Sequence, residues 1–480
     1  MEPDKSDAAR SGQLKADQLG TADVTTSTIA NIGPGIDFYF GFGVIVVTAG
    51  VGAPLTILAA AIAIGFLAWT VSEFTRKEPS AGSFITYVES AFGRDAGIAT
   101  ALLVLIGYTA AMAGVIAIAG GFLTMTVNHF GHVSIPWIFA TLVIALGGLW
   151  LMVTGIRLST TVVMVAVVLQ VLVMVGICCW ILIEQRGHLS TAPFRWSSVK
   201  DGLLGLSGGF PLALYLFIGW ENGPSLAEET RDPSRAIPRA LLYSISLATF
   251  LFVLFAYATI VGYHYDLRSI GRSSIPFLSV ADTVLGSFSI VAWIVGIVAV
   301  LATFIAGVTS QSRMIFDGGR EGFLPRRLSH VHPRYGTPTA ALVTIVLSGL
   351  GIIAIWGGVH LATSSTGMMN PVGLYAECST FGTIIILLVY AATTVALPVL
   401  MWRNYRSSFS LFRHGVIPLL GLVALLVPFA ALFHPGQPSP YNLYPFFAVA
   451  VVVLVVGVAL LRARGMNRSL RSQNTGKIEA

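Results

Sequence analysis

Three acids stand in apolar stretches of the sequence: Asp37, Glu221 and Glu377. No lysine or arginine shares their runs, so none has a permanent counter-ion in its own segment. A lone carboxylate at membrane depth costs at least ~2.5–3.5 kcal/mol. It must be protonated, wet, or paired with something mobile, such as a cationic substrate or a proton in transit. Two of the three also stand beside breaks in the chain. Glu221 follows Gly219-Trp220 and precedes Gly223-Pro224, and Asp37 ends the run Asn31-Ile-Gly-Pro-Gly-Ile-Asp37. Proline removes an amide and clashes with the preceding turn, so neither run continues as a regular helix. An exposed break in lipid strands backbone groups at several kcal/mol each, and survives only where protein or a water-filled cavity satisfies them. Half-helix N-termini suit an anionic group, and exposed carbonyls with a carboxylate suit a cation. The chemistry on offer is ion and small-molecule binding at membrane depth. Glu377 lies near the start of its run, where an interfacial structural acid is the simpler reading.

Other chemistries lack their residues. There is no GxxxxGK[ST] run for ATP-driven transport and no defensible Ser/His/Asp arrangement, so neither an enzyme nor a bound cofactor is expected. The histidines fall mostly in polar connections, and His330 and His332 are too close together and too partnerless for a metal site. Cys178, Cys179 and Cys378 lie in apolar runs and read as small packing residues.

The elements that must position Asp37 and Glu221 are membrane helices. Of 480 residues, 55% are hydrophobic and 10% charged, where a soluble domain carries about 25% charged residues. The net charge of +6 reports topology in such a chain and does not argue for nucleic acid. Crossing ~30 Å of hydrocarbon takes roughly 20 apolar residues. Twelve runs qualify: 28–51, 53–75, 96–127, 134–154, 159–183, 203–226, 239–262, 284–312, 338–357, 372–401, 414–433 and 443–461. With the N-terminus inside, 23 of the 28 lysines and arginines fall on the cytoplasmic side and 5 outside. A multi-pass protein of the cell membrane with both termini cytoplasmic follows. Residues 1–27 are polar, mixed in charge and without a secretory signal, and are expected to form a disordered cytoplasmic tail. The breaks fall in the first and sixth runs, five apart. Interrupted helices at corresponding places predict an all-α, five-plus-five inverted-repeat core. That core covers 28–401, followed by two additional helices (402–463) and a cytoplasmic tail (464–480).

Four blocks in order carry a resemblance. FIGWENGPSLAEETRDPSRAIPRA, from Phe217, resembles the sixth-helix signature of the amino acid–polyamine–organocation superfamily, as found in bacterial-type amino acid permeases. EFTRKEPSAGSFITYVESAFG, from Glu73, resembles its loop after helix 2, and GIRLS, from Gly155, its entry to helix 5. SQSRMIFDGGREGFLPRRLSHVHPRYGTP, from Ser310, resembles its long loop after helix 8. The resemblance implies alternating access around helices 1 and 6. It also implies a substrate carboxylate at the amides of the Gly33–Gly35–Ile36 turn, and an amino group at carbonyls of Phe217, Ile218 and Gly219. Tyr215, Phe217 and Trp220 would then be aromatic lids. Apart from the resemblance, Asp37 and Glu221 are the residues expected to supply the charged part of the site.

Three departures bear on the substrate. Pro34 takes one amide out of the glycine turn, and Asp37 stands where the family usually has an apolar or aromatic residue. Both favour a substrate with an extra amine, or an amine without a carboxylate. Gln170 stands where some proton-coupled relatives carry a lysine, so a coupling proton would ride on Asp37 or Glu221. A sodium site would instead use Thr303, Thr309 and Ser310, whose hydroxyls more often bond their own backbone. Glu228, Glu229, Arg231, Asp232 and Arg235 are expected to form a charge network with the Arg313–Arg334 loop. The reading is an importer of an amino acid or related organic amine, coupled to protons rather than sodium. An exchanger, a polyamine exporter, or a membrane-embedded sensor or structural subunit are the alternatives.

Overall fold

The computed structural model describes residues 17–154, 156–363, 370–433 and 440–475. The distal parts of both expected tails, 1–16 and 476–480, and the entry glycine of the fifth span, Gly155, lie outside the described residues. Gly33, in the left-handed region at φ 63° and ψ 54°, parts the first span into α1 (Thr21–Ile32) and α2 (Pro34–Ala49). Pro34 opens α2 at the position where a missing N–H strands nothing. α1 starts at Thr21, so the last residues of the expected disordered tail are helical.

A short 3₁₀ turn, Gly50–Gly52, leads into α3 (Ala53–Lys77). Then follow α4 (Phe84–Phe92), α5 (Arg94–Gly131), α6 (Trp137–Thr154) and α7 (Ile156–Glu184). The second half opens with α8 (Leu203–Tyr215), which passes through tight turns into a 3₁₀ segment, Trp220–Glu229. It continues with α9 (Pro233–Gly262), two short helices α10 (Leu267–Arg272) and α11 (Pro276–Leu285), then α12 (Ile290–Arg320). α13 (Thr339–Thr363) and α14 (Pro371–Asn404) complete the core; α15 (Ile417–Leu432) and α16 (Tyr444–Thr475) follow it. Among the described residues there is no strand, only an isolated bridge between Leu19 and Thr230.

Nine of these helices are each long and apolar enough to cross a membrane. The two broken spans and the shorter apolar helix Phe412–Leu426 bring the total to the expected twelve. Two boundaries differ from expectation. α12 runs on to Arg320, so Arg313 lies inside a helix and not in the following loop. α16 continues to Thr475, past the expected end at 463.

The packing exchanges partners between halves as an inverted repeat requires. α3 lies along α9, and α5 against α12, each helix meeting its counterpart five spans away. α5 lies along α14, mirrored by α12 along α7. α1 packs on α9, mirrored by α8 on α3. α5 is the central strut: 78% of its apolar window is buried, against 22–28% for α6, α13 and α16, which face outward. Gly107, Gly114 and Gly121, spaced by seven, line the face of α5 that meets Gly382, Tyr375 and Pro371 of α14. Without a hydrophobic driving force between helices in lipid, such small-residue faces supply close packing.

The breaks themselves touch. Gly219 has φ 107°, and a Cβ there would lie 2.5 Å from the Asn31 carbonyl oxygen. Gly219→Ala is therefore expected to cost about 2–4 kcal/mol, from backbone strain plus overpacking. Gly286 also has positive φ, 54°, but its Cβ would meet open space. Gly286→Ala should cost only about 1–2 kcal/mol. Thermal unfolding of both purified variants tests the contact, and equal losses would contradict it.

Candidate functional site

The two breaks abut, and one side-chain hydrogen bond joins them. The Asn31 side chain, in the last turn of α1, donates from Nδ2 to the Gly219 carbonyl at 3.0 Å. The same carbonyl accepts from the Asn222 amide at 3.2 Å. A Cβ at Gly33 would meet the Thr303 hydroxyl of α12 at 2.6 Å, so α12 closes against the first break. Glycine is what lets three backbones share this point.

Glu221 is wholly buried two residues past the cap of the second break. One carboxylate oxygen accepts from the Gly219 N–H at 2.8 Å, and the other from the Tyr108 hydroxyl of α5, also at 2.8 Å. Both oxygens are thus engaged by the protein. The carboxylate satisfies an amide that the break would strand and ties the 3₁₀ segment to α5. Beside it Trp220, also wholly buried, has its ring 5.6 Å from that of Tyr390 on α14.

Asp37 is only 6% exposed and lies in the first turn of α2, where the helix N-terminus favours negative charge. The Tyr375 hydroxyl of α14 donates to it at 2.6 Å, and the Tyr215 hydroxyl, at the end of α8, donates to Tyr375 at 2.7 Å. α2, α8 and α14 therefore converge on a single carboxylate. Tyr375 and Tyr390 are fifteen residues apart on α14, about 22 Å along its axis. Asp37 and Glu221 accordingly flank the break from opposite sides. Two residues before Asp37, on the far face of α2, the Cβ position of Gly35 would be 2.8 Å from Gln170 Nε2 of α7. Gln170 Nε2, the Thr303 hydroxyl and both polar ends of the Asn222 side chain are buried without hydrogen-bond partners.

The other expected residues divide. Ile36 is buried within the same turn as Asp37, and Ile218 is half-buried in the turn before Gly219. Phe217 turns away from the break and packs edge-on to Phe252 of α9 at 5.2 Å. Thr303 touches the first break, whereas Thr309 lies six residues on, about 9 Å along α12. The Thr309 carbonyl holds Arg313 Nη1 at 3.1 Å, and Ser310 is buried beside it. Tyr108, Tyr375, Asn31 and Asn222 escaped the sequence reading. Each polar group stands alone in an apolar or glycine-rich run, and its partner is remote in sequence or missing.

The charge network forms at one end of the bundle with part of the expected membership, Glu228 and Glu229 meeting arginines of the 313–334 stretch. Arg313 forks onto the Glu229 carboxylate, both side chains buried. Arg320 joins Glu228 at 2.5 Å and pairs with Asp317. Arg235 and Asp232 pair only with each other, at 3.7 Å and exposed. Residues 17–19 lie across this junction. The N–H groups of Gln18 and Leu19 donate to the Glu229 carbonyl at 2.8 and 2.9 Å, and the Arg231 N–H donates to Leu19 at 2.9 Å. Leu19 packs against Val24, Leu226 and Ala240.

The chain is similar to known proteins at three levels. The family model described as "Amino acid permease" matches residues 19–458. The branched-chain amino acid permease BcaP of Bacillus subtilis is 28% identical over 367 residues, 70% of this chain and 74% of that protein. The low-affinity putrescine importer PlaP of Escherichia coli is 27% identical over 322 residues, 65% of this chain and 68% of that one. MhsT in complex with L-phenylalanine shares the fold, with a TM-score of 0.60 at 15% identity, over 87% of this chain and 99% of that one. A Na+-coupled sialic acid symporter in a substrate-bound outward-open state does so with a TM-score of 0.53 at 16% identity, over 88% and 92%. The family match runs through both breaks and all twelve spans, so the chain belongs to the amino acid permease family.

Proposed function

We propose that this permease imports an amino acid or a related organic amine across the cell membrane, with both termini in the cytoplasm, coupled to protons rather than to sodium. The observation that carries the reading is Asp37, a buried acid beside the abutting breaks that takes part in none of the ion pairs among the described residues. An ammonium group arriving there replaces the Tyr375 hydroxyl on the carboxylate, with the Tyr375 and Tyr215 oxygens as further acceptors. The N-terminal amides of α2 at Gly35 and Ile36 are on offer to a carboxylate, though Pro34 contributes none. The buried Asn222 side-chain amide, which has no hydrogen-bond partner among the described residues, would serve either group. Glu221 holds the second break in shape, and carries the coupling proton when its bonds to Tyr108 and Gly219 exchange. The printed names of the relatives, a branched-chain amino acid permease and a putrescine importer, support both substrate classes equally.

Thermal stabilisation of the purified protein by amino acids and by amines lacking a carboxylate separates the two classes. A ligand at a hundred times its dissociation constant adds about 2.7 kcal/mol. Asp37→Asn removes a charge-assisted bond of about 1.5–3 kcal/mol and should raise the KM for uptake about 10- to 100-fold. Glu221→Gln should reach the membrane and lose uptake. Normal uptake by either variant removes that residue from the mechanism.

Inward release requires the Arg313–Glu229 junction and the 17–19 segment to part. Leu19 and Thr230 are bridge partners, within the usual Cα separation for a disulfide. Leu19→Cys with Thr230→Cys, in a background lacking Cys178, Cys179 and Cys378, should stop uptake on oxidation and recover it on reduction. Undiminished uptake by the oxidised protein would place the inner opening elsewhere.

A further inference from the structure

Glu377 takes no part in the site above. It lies in the second turn of α14, 8% exposed, and in none of the ion pairs among the described residues. Trp356 of α13 donates its indole N–H to one oxygen at 2.7 Å. The rings of Trp356, Phe381 and Tyr444 stand 5.9–6.2 Å from one another, and Tyr441 adds a fourth, 5.4 Å from Tyr444. A carboxylate without a cationic partner, bordered by aromatic rings, is the chemistry that attracts an organic ammonium.

The same face of α14 continues into a groove. Phe381, Ile384 and Leu388 follow Glu377 at spacings of four, three and four residues, which keeps them on one stripe. Ile384 and Leu388 face Ala448, Val449, Val452 and Val453 of α16 across an apolar groove of about 160 Å³, partly open at the surface. From Glu377 to Leu388 is eleven residues, about 16 Å of helix, which is close to half of a ~30 Å hydrocarbon core. The acid and its rings stand at the end of α14 that the lysine and arginine distribution places outside, where tryptophan and tyrosine belong at the headgroup level. A soluble amine would leave the groove empty. Apolar side chains from a second copy would fill it and leave the acid uncompensated.

We propose that this cleft is a lipid site: a phospholipid with an ammonium headgroup seats that group at Glu377 and lays one acyl chain between α14 and α16. The test uses the full-length protein in detergent, titrated with phosphatidylethanolamine, phosphatidylcholine or phosphatidylglycerol, with unfolding midpoint and bound lipid by native mass spectrometry as readouts. The two ammonium lipids should raise the midpoint by several degrees more than phosphatidylglycerol does. Glu377→Gln should erase that preference while leaving the midpoint in phosphatidylglycerol unchanged. Ala448→Trp, which fills the groove and keeps the acid, should cut bound ammonium lipid at least fivefold and stands as the test if the glutamine variant does not fold. Equal shifts from all three lipids, or a preference that survives Glu377→Gln, overturns the proposal. So does a lipid-independent dimer that Ala448→Trp dissociates, since a second copy would then be the occupant.

Discussion

A helix that stops inside a membrane must hand its loose amides and carbonyls to protein, because lipid has nothing to offer them. Here the interrupted spans hand theirs mostly to residues beside the break, and one carbonyl to a side chain of the other span. Gly219 is pressed against the Asn31–Ile32 backbone, and its carbonyl takes the Asn31 side chain. Its amide is taken by Glu221, and Glu221 in turn by Tyr108 on the central strut. The site, the inner closure and the half-helix ends all rest on that junction. Removing the close approach at Gly219 would move every one of them.

The two intramembrane acids do different work for a physical reason. Glu221 has both oxygens engaged, one by a backbone amide of its own break, so its charge is spent on holding local structure. Asp37 accepts from one side-chain hydroxyl, that of Tyr375, which in turn accepts from Tyr215. Hydroxyls yield to an ammonium more readily than a fixed amide does, because an ion–ion contact in a low-dielectric site outweighs a neutral donor.

Proline and glycine made the breaks legible, since Gly33-Pro34-Gly35 and Gly219 to Pro224 admit no regular helix. Hydrophobic run length made the twelve spans legible, and the breaks five spans apart implied the inverted repeat that the exchanged helix partners display. The side-chain bonds were not legible. Tyr108 and Glu221 are 113 residues apart, and Tyr375 and Asp37 are 338 apart; no local pattern marks either pair. Arg313 was misplaced into a loop because the run from Ser310 to Arg320 is polar by composition. The structure keeps it helical by pairing Arg313 with Glu229 and Arg320 with Glu228 and Asp317. Leu19 looked like tail for the same reason: its backbone pairing with Thr230 leaves no trace in hydropathy.

The hydrogen bonds run one way, from the Tyr215 hydroxyl to Tyr375 and from the Tyr375 hydroxyl to Asp37. That chain of hydroxyls cross-braces α2, α8 and α14. On the proposed function, a cation that claimed the Asp37 oxygen would dissolve the brace in the act of being recognised. Selection and release would then be one event, and a solute too weakly charged to displace a phenol would leave the brace in place.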